Sequence, residues 1–152
     1  MVDWVPSRQD VIWIDCSPQA GKEMRNPHPF VVLSPKSFND KTSLVLGLPM
    51  TTANYNKDNP FAIDIGIIKK QGKERNGYVL CHQVKSFDWR SRGASPHPMK
   101  KLDKSKFVEA YSVLNQIIKI GIDIHKISNL DIKQSKVNLV FYIWFRYSGE
   151  FN

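Results

Sequence analysis

The strongest constraint on the fold is a series of short apolar runs, each cut off by turn-forming residues. Val11-Ile12-Trp13-Ile14 stops at Ser17-Pro18 and Gly21, and Phe30-Val31-Val32-Leu33 stops at Ser34-Pro35. Leu44-Val45-Leu46-Gly47-Leu48 ends at Pro49. A polar loop from Asn54 to Pro60 precedes Phe61-Ala62-Ile63-Asp64-Ile65, and Gly77-Tyr78-Val79-Leu80-Cys81 leads into His82-Gln83-Val84. Runs this short, rich in Val, Ile and aromatics, are strand material, because branched and aromatic side chains pack well on a pleated surface. Their regular recurrence predicts a mainly β chain built as a small barrel or sandwich. They are continuous rather than alternating, which predicts strands covered on both faces or buried at an interface.

One segment changes period. Phe107, Ala110, Tyr111, Leu114, Ile117 and Ile118 recur at helical spacing and form one apolar stripe, expected to lie against the barrel. Asp103 suits the N-cap and Gly121 the position after the C-cap. Beyond it, Val137 to Tyr147 is a dense β-favouring run that must pair, dock or remain disordered. The expected organisation is one domain over residues 1–120 and a C-terminal extension over 121–152.

The chain of 152 residues carries a net charge of +8. The excess is uneven: residues 85–106 hold seven Lys and Arg against Asp88 and Asp103, a net +5, whereas residues 121–152 contribute +1. Such a segment is either a solvated face or a site for a polyanion. Cys16 and Cys81 stand in no metal-ligand spacing and fit a reducing, cytoplasmic compartment. The N-terminus lacks the pattern of a signal peptide, and no run is long enough to span a bilayer, so no membrane partner is expected.

Three segments hold side chains able to do chemistry: Glu23 to Pro29, Pro49 to Thr52, and Cys81 to Gly93. No zinc spacing, Walker loop or dinucleotide fingerprint occurs, so neither metal nor cofactor is expected. RNA cleavage without a metal needs a base for the 2′-hydroxyl, an acid for the departing 5′-oxygen and stabilisation of the charged phosphorane. His28, Glu23, Thr51 and the arginines are the right types. Each also has a plainer reading: His28 a rigid turn residue between prolines, Glu23 a solvated loop acid, Thr51 a strand terminator, Gln83 a ladder-side polar group. Trp89 reads either as core or as a base-stacking platform among cations, and His97-Pro98 reads as loop punctuation.

Taken in order, the segments resemble the MazF/PemK toxin family. The match runs through Asp10 to Asp15 with Pro18, Gly21 and Glu23, then His28-Pro29-Phe30-Val31-Val32-Leu33-Ser34-Pro35, then Pro49-Met50-Thr51-Thr52, then Gln83 through Ala94. It covers residues 3 to about 120. The resemblance implies an SH3-like barrel of the MazF/PemK/CcdB type with a C-terminal helix, assembled as a homodimer. It implies a sequence-specific, metal-independent endoribonuclease that cuts single-stranded RNA to 2′,3′-cyclic phosphate and 5′-hydroxyl ends. A cognate acidic antitoxin of the MazE/PemI kind would neutralise it. By the same resemblance His28, Thr51 and Glu23 are catalytic, and Arg25, Gln83, Lys85, Trp89, Arg90 and Arg92 bind RNA.

The chain departs from the family at His28, where an arginine is usual. Arginine stays charged and grips phosphate with a fork, whereas histidine can exchange a proton near neutral pH. Two other readings stay open on the same barrel: a non-enzymatic toxin like the CcdB group, and an SH3-like module that binds RNA or protein.

Overall fold

The computed structural model describes residues 4–70 and 72–118. Its strands are β1 (Asp10–Asp15), β2 (Pro27–Val32), β3 (Leu44–Thr51), β4 (Ala62–Lys70), β5 (Lys73–Leu80), β6 (Lys85–Asp88) and β7 (Ser95–Lys101). A short helix α1 (Lys36–Thr42), a 3₁₀ turn (Asn54–Asp58) and the helix α2 (Lys104–Ile117) complete it. The pairing order is β4-β5-β3-β2-β1-β7, with β6 added to β3, and every pair is antiparallel.

The curvature comes from β3, which changes partner along its length. Leu44 to Gly47 pair with β6, while Met50 and Thr51 pair with β5. The sheet thereby wraps into the open barrel expected of the sequence. Gly47 sits where β3 passes closest to β2: a Cβ there would lie 2.2 Å from the Val31 carbonyl oxygen and 2.3 Å from the Phe30 ring. No larger residue fits without moving the backbone.

Continuous apolar runs arise because both faces of the sheet are covered. Val11, Val31, Leu48, Met50 and Val79 join one core cluster, which α2 caps with Ala110 and Leu114. Ile12, Ile14, Phe30, Val32 and Val45 join a second cluster on the other face, with Phe87 and Trp89. Consecutive residues of one strand therefore enter different cores, as the two-residue side-chain period requires. The two thiols lie one in each cluster, and burial pushes both pKa values up to about 11.

Asp103 does cap α2, its Oδ2 accepting the Ser105 N–H at 2.9 Å and the Lys106 N–H at 3.4 Å. The buried stripe is rotated slightly from the expected one. Phe107, Ala110, Val113 and Leu114 face the core, and Tyr111 is exposed. Gly121, the Val137–Tyr147 run and the expected extension lie outside the described residues.

Two strands were not legible as such. The segment around His97-Pro98, expected as a loop, is β7, and it tolerates Pro96 and Pro98 because among the described residues it is an edge strand, paired with β1 alone. His97 packs there on Trp13 with ring centroids 4.8 Å apart, and burial lowers its pKa. The β6 strand is only four residues long and lies within the run read as a charged surface segment.

Candidate active site

The loop between β1 and β2 is brought against Gln83, Lys85 and Arg92, while Thr51 closes β3. The β2–β3 ladder pairs Val32 with Gly47, Val31 with Leu48 and Phe30 with Pro49. That ladder ends at Phe30 and Pro49; beyond it His28 pairs with Ile14 of β1, and Thr51 with Tyr78 of β5. Side chains along a strand alternate between faces, so His28 falls on the face of Phe30 and Val32. Lys85 pairs with Gly47 from the other edge of β3 and belongs to that face as well.

Local structure fixes each group. Asn26 adopts a left-handed conformation (φ 63°), which Asn tolerates better than most residues, and turns the loop into β2 just before His28. The His28 Nδ1 lies 3.4 Å from the Asn26 carbonyl oxygen. The Thr51 hydroxyl accepts the Ala53 N–H at 3.2 Å as the strand ends. Tyr78, the β5 partner of Thr51, is buried, and its hydroxyl has no hydrogen-bond partner among the described residues.

Glu23 is ion-paired with Lys85 at 2.7 Å and also accepts the Ala20 N–H at 3.3 Å. The hydrogen bond from Lys85 is the main reason its pKa falls below the ordinary glutamate value. An ionised, engaged carboxylate is a poor proton donor, so the arrangement makes Glu23 the partner that holds Lys85 rather than a general acid.

Several residues expected to contact RNA have other work in the fold. Trp89 is only 5% exposed. Its indole N–H donates to the Asn39 carbonyl at 3.0 Å, Trp4 meets it edge-on, and the Arg90 guanidinium lies 4.2 Å from its ring centroid. A ring so enclosed cannot stack a base, and the core reading of Trp89 is the correct one. Arg92 donates through Nη1 to the Asp15 carbonyl at 2.8 Å and to the Ser17 carbonyl, and lies over the Phe87 ring. It fastens the start of the β1–β2 loop.

Gln83 fastens the other end of that loop: its Oε1 accepts the Met24 N–H at 2.9 Å and its Nε2 donates to the Lys22 carbonyl at 3.4 Å. Gln83→Ala should therefore speed hydrogen exchange at the Met24 amide roughly 2- to 13-fold, the loss of one ordinary hydrogen bond. Unchanged exchange in that amide would show that the loop is held without Gln83.

The dense cationic run thus disperses on folding. Lys85 pairs with Glu23, Arg90 with Asp40 at 3.5 Å, Lys101 with Asp10 at 2.7 Å and Lys106 with Glu109 at 3.1 Å. Arg25 is exposed on the β1–β2 loop, with no ion pair among the described residues. Sequence reasoning missed an open groove beside Thr51, lined by residues including Lys57 and Arg75. Their cations lie in segments of mixed charge, so counting charge along the chain does not single them out. Among the described residues, no three His, Cys, Asp or Glu side chains cluster as a metal site would require, and no helix is long and apolar enough to cross a membrane.

The fold and these positions can be set beside known proteins. The chain is 42% identical over 92 residues to the endoribonuclease toxin MazF of Escherichia coli K12, covering 60% of this chain and 77% of that one. It is similar to the crystal structure of MazF from Deinococcus radiodurans, with a TM-score of 0.62 and 30% identity, over 75% of this chain and 96% of that one. It is also similar to a MazE–MazF structure from the same organism, with a TM-score of 0.57 and 28% identity, over 74% of this chain and 95% of that one. The family described as PemK-like, MazF-like toxin of type II toxin–antitoxin system matches residues 7–118. With that match spanning most of the chain and the open barrel in place, this protein belongs to the PemK/MazF toxin family.

Proposed function

We propose that this chain is an endoribonuclease toxin that cuts single-stranded RNA by side-chain chemistry and is neutralised by an acidic antitoxin. What supports the reading is the Lys85–Glu23 ion pair on the loop that carries Arg25 and leads into His28, in a family whose relatives include endoribonucleases. The 2′-oxygen attacks the adjacent phosphorus as its proton leaves, and the bond to the 5′-oxygen breaks as that oxygen gains a proton. The products carry a 2′,3′-cyclic phosphate and a 5′-hydroxyl.

His28 moves one of these protons. The Thr51 hydroxyl donates to a non-bridging oxygen, and Lys85 places positive charge where the phosphorane becomes more negative. Glu23 keeps Lys85 and the loop in place. Arg25 and Arg90, both exposed, hold flanking phosphates, while Gln83 and Arg92 act by fixing the loop. The acidic antitoxin competes for the same cations. The protein works in the cytoplasm as a homodimer, with residues 1–120 as its toxin domain and 121–152 as an extension.

EDTA should leave cleavage of a long single-stranded RNA unchanged, and end mapping should find cyclic phosphates. A 2′-methoxy group at the cut site should abolish cleavage there, because the nucleophile is gone. Strict dependence on Mg²⁺ or Zn²⁺, or continued cutting of the methoxy substrate, would overturn the mechanism.

A further inference from the structure

Tyr78 stands directly opposite Thr51 in the β3–β5 ladder, so the two side chains project from one face. Their neighbours Met50 and Val79 turn the other way, into the first core cluster. Tyr78 is 1% exposed, and its hydroxyl is buried with no hydrogen-bond partner among the described residues. Buried hydroxyls in folded proteins are nearly always bonded, and an exception costs folding free energy that phenylalanine in the same place would not.

Two polar residues flank Tyr78 on that face. Asp64 of β4 lies on one side, and both of its carboxylate oxygens are engaged: Oδ1 accepts the Gly66 N–H at 2.7 Å and Oδ2 accepts from the Asn76 Nδ2 at 3.3 Å. Thr51 lies on the other side. Its Oγ1 accepts the Ala53 N–H at 3.2 Å, which leaves a second lone pair and the hydroxyl proton unused among the described residues. Opposed Cβ atoms in such a pair are about 4.5–5.5 Å apart, a gap that a tyrosine ring spans.

We propose that Tyr78 is a positioning residue for Thr51: when RNA is bound, its hydroxyl donates to the second lone pair of Thr51 Oγ1 and turns the Thr51 proton onto the non-bridging phosphate oxygen. The chain runs from the Tyr78 O–H to the Thr51 O–H to the phosphate. Each link strengthens the next, because a hydroxyl that accepts a bond becomes a better donor. No covalent bond changes at either side chain. The assignment rests on the nuclease reading above, in which Thr51 donates to that oxygen, and it gives β5 a part in the site through a residue that does not touch RNA.

The test uses the full chain, with unmodified RNA for kinetics and a short 2′-methoxy RNA as an uncut ligand. Tyr78→Phe keeps the ring and should melt no lower than the parent, because it removes an unpaired hydroxyl and leaves no orphan behind. It should lower kcat roughly 2- to 13-fold, the loss of one ordinary hydrogen bond, with KM retained. In a Thr51→Ala background the same change should have no further effect, since the two residues act as one unit. In protein labelled with carbon-13 at the tyrosine Cζ, the methoxy RNA should shift the Tyr78 resonance in the parent but not in Thr51→Ala.

If the parent cuts RNA and Tyr78→Phe keeps its kcat, or slows Thr51→Ala as much as it slows the parent, the proposal is overturned while the nuclease reading stands. If the parent cuts nothing, the nuclease reading fails and the Cζ shift decides: a shift that needs the Thr51 hydroxyl supports the Tyr78–Thr51 bond, and its absence overturns it. A lower melting temperature in Tyr78→Phe would show that the hydroxyl is already bonded in the free protein, and would overturn the proposal as well.

Discussion

Replacing His28 by alanine should slow RNA cleavage by about 10²- to 10⁴-fold, the usual cost of losing a positioned acid or base. The barrel should persist, since His28 is only half-buried at the start of β2 and makes one long contact to Asn26. The pH profile separates its roles. As a general acid His28 works protonated, so the rate falls as pH rises. As a general base it works neutral, so the rate falls as pH drops. Arginine at this position stays charged throughout. His28→Arg should therefore remain as slow as alanine if proton transfer is the task. It should recover the rate with a flatter profile if charge alone is needed. Full activity in His28→Ala would remove His28 from the site and leave Arg25 as the nearest exposed cation on the loop.

Trp89→Ala should cost about 3–5 kcal/mol of folding stability, the range for emptying a large aromatic site. Its ring is part of the core cluster with Ile12, Phe30 and Phe87. Its N–H also satisfies the carbonyl of Asn39, a residue that is itself fully buried. The substitution thus leaves both a cavity and a buried acceptor without its donor. Against a total of about 5–15 kcal/mol for an ordinary domain, this is a large fraction. Urea denaturation followed by circular dichroism reads the loss directly. Trp89→Phe should lose less, because most of the ring volume is retained. If Trp89→Ala instead melts like the parent and loses only RNA affinity, the ring is a stacking platform and its burial in the core is wrong.

The two tryptophan readings show where a sequence stops being informative. In Lys85-Ser86-Phe87-Asp88-Trp89-Arg90, an aromatic between cations fits core or RNA equally well, because period-two patterning is too short to choose a face. The face is chosen when Val45 pairs with Phe87, which directs Phe87 into the second cluster. The same pairing sets Lys85 two residues earlier on that face, within reach of Glu23. Glu23 and Lys85 are 62 positions apart, and nothing local connects them.

Composition and pattern did determine the fold class. Short β-favouring runs broken by Pro and Gly specify strands, and continuous runs specify two covered faces, because these are local consequences of side-chain shape and of the energy of burying apolar surface. The period of 3.6 specified α2, and Asp103 its start. The order of motifs specified the family, and with it the candidates His28 and Thr51. The tertiary structure decided which of the polar candidates hold the scaffold. It assigned Arg92 and Gln83 to the two ends of the loop, Glu23 to Lys85, and Tyr78 to the place opposite Thr51. Each of these is set by strand register and loop closure across tens of residues, and the free energy that selects a register belongs to the whole packed sheet rather than to any segment of it.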